Sequence, residues 1–499
     1  MKYALDAAMS KKVDSYTINE TGVPSLVLME RAALSVASKV AEIAAGFCRQ
    51  VRICAVCGCK NNGADGVAAA RILTWQGLPV DIIIAGDEKK ASPEFAAQAG
   101  IARNSGMSFC NISSIAEYDI VIDAVFGTGL SRAVEGAYAD IIDTINLCRN
   151  VIVSVDIPSG ISSDTGNVLG RAVKADATVT FGYNKQGLLL YPGREFAGEI
   201  TVADIGFCPE AVKNLNPAMY FTAEDIGRIP ARSALANKGT YGRTLIIAGS
   251  ESMSGAAYLS AAAAYKSGVG IAEVFTRGCN CAVIRTLLPE AIVTGYEADN
   301  ALNLLEPLLE KADTVILGPG LSTDVTAESI VKKVLEKTKQ PLIIDADALN
   351  IISADTNILK SCRSAVIITP HIGEMARLTG KDKEEILADT VGAAASFAQE
   401  NNVVCVLKNA ATVVAEPDGN RRIYINNSGC AAMAKGGLGD VLTGVIAGML
   451  ALRIEPFSAA SMGVYVHGLA GEAAAHDCGS HGAVASDILE RLGRVMEHN

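Results

Sequence analysis

Two doubly wound α/β domains joined near residue 220 are the architecture this sequence predicts, and three observations carry the prediction. The chain has 499 residues, too many for one ordinary core, so two or three domains are expected, each able to bury a substantial interior. Short β-rich apolar runs alternate with segments of helical spacing, the pattern of parallel strands joined by crossover helices. That rhythm falters between about Asp204 and Lys238, where "NLNP" and "DIGRIPARSALANKG" interrupt it, and so divides the chain into residues 1–220 and 221–499.

Taken in order, "PSLVLMERAALSVASKVAEIAAG" reads as a long amphipathic helix starting at Pro24. From about residue 50 the apolar runs "VRICAVC", "VDIIIAG", "YDIVIDAVF" and "NVIVSVDIP" read as buried strands. After the break a second series begins: "RTLIIAGS", "IAEVFT", "DTVILGPG", "PLIIDAD", "SAVIITPH" and "NVVCVLKN". The sequence has no repeat of fixed period and no low-complexity tract. Ligands of open α/β sheets bind beyond the carboxyl ends of the strands, so the residues following each run are the candidates for function.

Composition narrows the class. Half the residues are hydrophobic and 19% are charged, which argues for compact globular domains rather than disorder. The net charge of -11 is spread thinly, with no basic stripe of the kind nucleic-acid binders use, so an anionic ligand must be held by local features. Thirteen cysteines in no disulfide framework fit a reduced, cytoplasmic setting. The opening "MKYALDAAMSKKVDS" is broken by Asp6 and makes a poor signal peptide. Runs such as "VLTGVIAGMLAL" fall short of the roughly 20 residues of a membrane span, so no membrane partner is expected. A homo-oligomer is expected, its size left open.

In the second half the strand-end residues are Gly318, Pro319 and Gly320, then Asp345, Asp347 and Asn350, then Thr369, His371 and Glu374, then Lys408 and Asn409. Any one of them could be only a turn or a helix cap. Last comes "AAMAKGGLGDVL", in which glycines and a lone Asp440 precede apolar helix formers. A helix N-terminus offers unpaired N–H groups, and glycines let an anion reach them. Neither GxxxxGK[ST] nor a full GxGxxG occurs, so Walker-type and standard dinucleotide binding are unsupported. A glycine loop ending in aspartate suits phosphoryl transfer to a hydroxyl: the loop neutralises the moving phosphoryl and Asp440 accepts the proton. Aspartate, with a reference pKa of ~3.9, need act only as the hydroxyl becomes acidic in the transition state.

"NSGCAAMAKGGLGDVLTGVIAG" resembles the anion-hole region of the ribokinase-like superfamily. With "KGTYGRTLIIAGSESMSGAAYLSAAAAYKSGVG", "ILGPGLS", "IDADALN", "TPHIGEMARL" and "VLKNAATVV" in order, the half from about Lys238 resembles the ADP- or ATP-dependent NAD(P)H-hydrate dehydratases. The resemblance implies repair of reduced nicotinamide cofactors damaged by ring hydration, NADHX and NADPHX. A nucleotide phosphorylates the ring hydroxyl, and loss of phosphate restores the ring. Carried over by residue, Asp440 would be the base, and Gly436, Gly437 and Gly439 the anion hole. Ala256, Gly320 and His371 would contact the hydrated cofactor, while Lys408, Asn409, Ala410, Ala411, Thr412 and Gly439 would hold ADP or ATP with Mg2+. Leu438 stands where the resemblance leads one to expect a small polar residue. His371 could instead be a cap, since "TPHIGE" reads as a strand end turning into a helix. Lys408, ending an apolar run, has few structural uses there.

In the first half the opening βα turn is "CGCKNNGADGVAAARIL", followed by "DAVFGTGLSRAVEG", "VDIPSGISSDTG", "GYNKQG" and "PGREFAGEITVADIG". Together these resemble the NAD(P)H-hydrate epimerases, which interconvert the R and S hydrates and occur fused to the dehydratase. The two resemblances imply an N-terminal Rossmann-like three-layer α/β/α domain and a C-terminal ribokinase-like α/β domain. Asn61, Asn62, Gly63, Ala64 and Asp65, the loop Gly127, Thr128, Gly129, Leu130, Ser131, Arg132 and Ala133, Tyr138 and Asp156 would bind the hydrate. Asn62, Asp123 and Ser159 would ligate a potassium ion, which hard oxygen ligands suit. Asp156 is the expected acid/base, with a capping role as its alternative.

Two departures bear on that site. Ala64 replaces a second glycine and would strain a turn requiring positive φ, and the ammonium of Lys60 could compete with the potassium ion. Cys54, Cys57 and Cys59 are read as buried structural residues, since positions three apart on a strand point to opposite faces. The rival readings are a vitamin-precursor kinase of the same superfamily and an N-terminal half that binds without catalysing. Fold alone excludes neither.

Overall fold

The computed structural model describes residues 1–417 and 422–497. The chain divides into two compact units, Tyr3–Ala218 and Met219–Asn499, the latter including Met1–Lys2.

In the first unit β1 (Lys2–Leu5) is followed by α1 (Ala7–Asn19), which Asp6 caps by accepting the Met9 amide at 2.6 Å. Pro24 then opens α2 (Ser25–Ala45), because its fixed φ suits a helix start. The sheet strands are β2 (Ile53–Gly58), β3 (Val80–Ala85), β4 (Phe109–Cys110), β5 (Ile120–Ala124), β6 (Val151–Val155) and β7 (Ala177–Phe181), with α3 (Asn61–Trp75) after β2. A short β8 (Asn184–Lys185) pairs parallel with β1, and β9 (Glu199–Ala203) completes the main sheet. Its order is β4-β3-β2-β5-β6-β7-β9, parallel throughout.

Helices cover both faces, so β2 is buried along its whole length and reads as an unbroken apolar run. Cys57 packs into the core on the α2 and α3 side, while Cys54 packs into the opposite one. The period-two argument that kept these thiols apart therefore holds. All cysteines are free thiols.

In the second unit the strands are β10 (Ala218–Tyr220), β11 (Arg243–Ile247), β12 (Ile271–Arg277), β13 (Ile292–Tyr296), β14 (Thr314–Leu317), β15 (Leu342–Ile344), β16 (Val366–Ile368), β17 (Val404–Leu407), β18 (Val413–Ala415) and β19 (Ile423–Ile425). They lie in the order β13-β12-β11-β14-β15-β16-β17-β18-β19-β10. Pairing is parallel from β13 to β17, and β18 runs antiparallel to β17 and β19. The run "VLTGVIAGMLAL" falls in the helix Leu438–Ala451, which is buried along nearly its whole length. It lies close against the helix Ser254–Lys266, since a Cβ at Gly444 would stand 2.3 Å from the Ser260 carbonyl. Among the described residues no helix is long and apolar enough to cross a membrane.

Candidate functional site

In the first unit β3 flanks β2 on one side and β5 on the other, so the strand order reverses there and the crevice opens at their carboxyl ends. Asn61 to Asp65 form the start of α3 at that crevice. Gly63 is indispensable, because a Cβ would lie 1.6 Å from the Gly58 carbonyl oxygen. Ala64 corrects the expectation of strain: it sits fully buried inside α3 and is not among the residues of positive φ. Lys60 is likewise no competitor for a cation, since its ammonium donates to the Lys90 carbonyl at 2.7 Å.

Asp123, at the end of β5, is completely buried. It accepts the Ser154 hydroxyl at 2.8 Å, the Ser159 amide at 2.9 Å and the Ser159 hydroxyl at 2.6 Å. Burial nevertheless raises its pKa. The Phe126 amide donates to Ser159 Oγ at 2.8 Å, and Asn62 Nδ2 donates to the Phe126 carbonyl at 3.0 Å. Asn62, Asp123 and Ser159 are thus brought together, with carboxylate, hydroxyl, amide and carbonyl oxygens of the kind an alkali cation takes. A Cβ at Gly127 would meet the Asn62 side chain at 3.1 Å, and the Thr128 carbonyl accepts the Ser163 hydroxyl at 3.3 Å. Leu130 is half-buried, whereas Gly129, Ser131, Arg132 and Ala133 are exposed. Tyr138 packs on Phe126, ring centroids 5.0 Å apart.

Asp156 follows β6 with φ 66°, a left-handed conformation that costs a non-glycine residue energy and is retained mainly where surroundings or function demand it. Its Oδ1 accepts the Thr180 hydroxyl and the Phe181 amide, each at 3.1 Å, and the Lys185 ammonium at 2.8 Å. Lys185 is itself buried. The carboxylate is therefore aimed and neutralised by residues at the ends of β7 and in β8.

In the second unit the order reverses at β11, between β12 and β14. There the Gly249 amide donates to the Pro319 carbonyl at 2.9 Å. Gly320, at φ 58°, has room for no Cβ, which would lie 2.9 Å from the Ala256 methyl. Ala256 and Gly320 therefore touch. Asp345 Oδ1 accepts both the Thr369 hydroxyl and the Lys408 ammonium at 2.7 Å. Burial works against the charge on Lys408, but Asp345, Glu374 and Asp440 outweigh it and raise its pKa. His371 is a cap: its Nδ1 accepts the amides of Gly373 and Glu374 at 2.9 and 3.2 Å, and Glu374 returns the contact at 2.8 Å. Its ring remains half exposed beside Lys408, whose amide donates to the Pro370 carbonyl at 2.8 Å.

The glycine loop ends at Gly437, whose φ of 88° opens the helix Leu438–Ala451. Gly436 is exposed, with open space around it. Leu438 turns its side chain into the core, so an apolar residue there leaves the amide free to face a ligand. A Cβ on Gly439 would lie 3.3 Å from Lys408 Nζ and 3.4 Å from Asp345 Oδ2, so the loop rests on that ion pair. Asn409 and Ala410 are exposed and Ala411 is buried, and the Thr412 hydroxyl donates to the Asn409 carbonyl at 3.4 Å in the turn before β18. Burial, with Asp345 and Asp347 adding to it against Lys408, raises the Asp440 pKa to about 7. Amide donors, a fixed ammonium and a carboxylate ready to take a proton near neutrality form one edge.

Comparison with known proteins decides the family. Residues 244–494 match the family model for NAD(P)H-hydrate dehydratase, and residues 25–187 match that for the YjeF-related protein N-terminus. The bifunctional NAD(P)H-hydrate repair enzyme Nnr of Moorella thermoacetica is 37% identical, covering 99% of this chain and 97% of its own length. That of Escherichia coli is 36% identical, covering 88% and 84% respectively. A crystal structure of a ribokinase-like superfamily protein from Enterococcus faecalis, 30% identical, covers 56% of this chain and 95% of its own at a TM-score of 0.50. The chain belongs to the bifunctional NAD(P)H-hydrate repair enzymes.

Two residues of this repair-family chain escape the sequence reading, and a third is seen there without its partner. Lys185 lies in the quoted "GYNKQG", but it follows Asn184, four residues beyond the end of β7, so the argument that singled out Lys408, a lysine closing an apolar run, does not reach it. Asp345 was visible as a strand end but not as the partner of Lys408. His467, on the helix Pro456–Cys478, is buried with its Nε2 unpartnered, and burial with nearby Lys408 lowers its pKa to about 4. Nothing in its neighbourhood along the chain marks it.

Proposed function

We propose that residues 1–220 epimerise the R and S forms of NADHX and NADPHX, and that residues 221–499 dehydrate the S form using ADP or ATP. In the second step Asp440 takes the proton of the ring hydroxyl as its oxygen attacks the terminal phosphoryl of the nucleotide. The amides of Gly436, Gly437 and Gly439, with Lys408, hold the phosphoryl charge. Phosphate then departs with the carbon–oxygen electron pair, a ring proton is lost, and the dihydronicotinamide is restored. Ala256, Gly320 and His371 would contact the hydrate, and Lys408 to Thr412 the nucleotide.

The observation that carries this reading is the position of Asp440, in the first turn of the helix behind the glycine loop, with its proton held up to about 7. Among the described residues no group of three His, Cys, Asp or Glu side chains could hold a metal, so Mg2+ would come with the nucleotide phosphates. In the first unit Asn62, Asp123 and Ser159 would hold K+, which supplies a fixed positive charge. Asp156 would move the proton, with the hydrate held by Asn61 to Asp65, Gly127 to Ala133 and Tyr138. The free thiols support a reducing, cytoplasmic setting.

The test gives purified protein a mixed R and S hydrate with ADP or ATP and follows reduced cofactor and phosphate. Full conversion with stoichiometric phosphate is expected. A phosphorylated alcohol as the final product would return the vitamin-precursor kinase reading.

A further inference from the structure

We propose that Ser260 is a positioning residue of the dehydratase site, whose buried hydroxyl holds the Asp440 backbone in place and thereby aims its carboxylate. This rests on the dehydratase reading above and adds what places its base.

The Asp440 carboxyl has no anchor of its own. Among the described residues no donor hydrogen-bonds its side-chain oxygens, and it is the main-chain carbonyl that is held, accepting the Ser260 hydroxyl at 3.1 Å and the Thr443 hydroxyl at 2.7 Å. Those two hydroxyl oxygens lie 3.2 Å apart, and both side chains are completely buried. Asp156 in the first unit is held in the other way, through the carboxylate itself.

Packing alone does not call for serine at position 260. Buried alanines surround it on the helix Ser254–Lys266, Ala257 before it and Ala261 to Ala264 after it, and alanine is the better helix former. A hydroxyl taken out of water costs energy unless it is paired. Ser260 finds its partner on the facing helix, Leu438–Ala451, in the first turn.

The rest of that helix face meets the other parts of the site. Ala256, Leu259, Ser260 and Ala263 recur at the spacing that puts residues on one side of a helix. A Cβ added at Gly320 would lie 2.9 Å from the Ala256 methyl, one at Gly437 2.8 Å from Leu259 Cδ1, and one at Gly444 2.6 Å from the Ala263 methyl. One face therefore sets the wall against Gly320, the end of the glycine loop and the turn that bears Asp440. Gly436, Gly437 and Gly439 leave the backbone just before Asp440 freer than other residues would. Where Asp440 stands is then decided by what its turn is fastened to, and Ser260 is the hydrogen bond that reaches it from outside its own helix.

The experiment measures kcat and KM for dehydration of the S hydrate with ATP at pH 8 by the full-length chain, in wild type, Ser260→Ala, Thr443→Val and Thr443→Ser. Ser260→Ala should lower kcat about 10-fold or more, because a catalytic group displaced by a fraction of an ångström loses its alignment, while KM for hydrate and for ATP stays within about threefold. Amide hydrogen exchange should quicken over residues 436–441 and stay as in wild type over residues 445–451. Thr443→Val keeps the shape of the side chain without its hydroxyl and should lower kcat in the same sense. Thr443→Ser keeps the hydroxyl and should restore it. If Ser260→Ala fails to fold, the two Thr443 variants decide. Wild-type kcat in Ser260→Ala, a loss carried by KM alone, or equal losses in Thr443→Val and Thr443→Ser overturns the proposal and leaves the dehydratase reading standing. A wild-type chain that returns no dihydronicotinamide absorbance with nucleotide removes both.

Discussion

At Asp440, burial and the carboxylates of Asp345 and Asp347 outweigh Lys408 and keep the proton on to about pH 7. As the proposed base Asp440 is mostly ionised only above that pH, so the dehydration rate should fall as pH drops through 7, as a rate profile on the S hydrate would record. The same shift has a stability cost of definite sign. A carboxyl whose folded pKa exceeds its unfolded one binds protons more tightly when folded, so the contribution of this group to stability is most favourable below about pH 4 and declines as pH rises to about 7. Asp440→Asn should thus raise stability at pH 8 by the order of 1–3 kcal/mol in urea titrations, while dehydration drops about 100-fold or more. Lys408 behaves in the opposite way. Lys408→Met leaves the buried Asp345 carboxylate with only Thr369, and should cost about 3 kcal/mol. The double variant with Asp345→Asn should recover most of that loss, because no charge remains unpaired.

Elements differ in how openly the chain declares them. Parallel strands covered on both faces must be continuous apolar runs, so β2, β3, β5 and β6 and the strands from β11 to β17, except β13, could be read directly. The edge strand β13, "IVTGY", carries a glycine and is only partly covered, and β18 and β19 are short antiparallel pieces, so periodicity did not reveal them. The glycine-rich turn before α3 was read as needing positive φ at position 64, but the helix begins earlier. Close approach, not φ, decides there, and it decides at Gly63. Gly63→Ala should push α3 away from β2 and abolish epimerisation while leaving dehydration intact, as separate assays of the two steps on one sample would show. His371 shows the same limit of motif reading: the strand-end pattern placed it at the site, but only the Gly373 and Glu374 amides reveal how its ring is anchored.

For the whole molecule, the break in rhythm between Asp204 and Lys238 spans the change of unit at Ala218 and Met219, because a compact unit ends where few apolar segments remain to be buried. What local sequence could not contain are contacts made over long separations. The Lys408–Asp345 pair joins the ends of different strands that the sheet order brings together, and the Lys185–Asp156 pair joins β8 to the end of β6. Under the proposed division of labour the two units should fail separately. Asp156→Asn given a mixed hydrate and nucleotide should convert the S fraction at the wild-type rate and then continue only as fast as spontaneous epimerisation supplies it. The most direct test of the central claim is a single turnover of S hydrate with nucleotide by Asp440→Asn at pH 8. The expected result is bound hydrate and nucleotide with no return of dihydronicotinamide absorbance. Absorbance returning at the wild-type rate would mean that another group takes the hydroxyl proton.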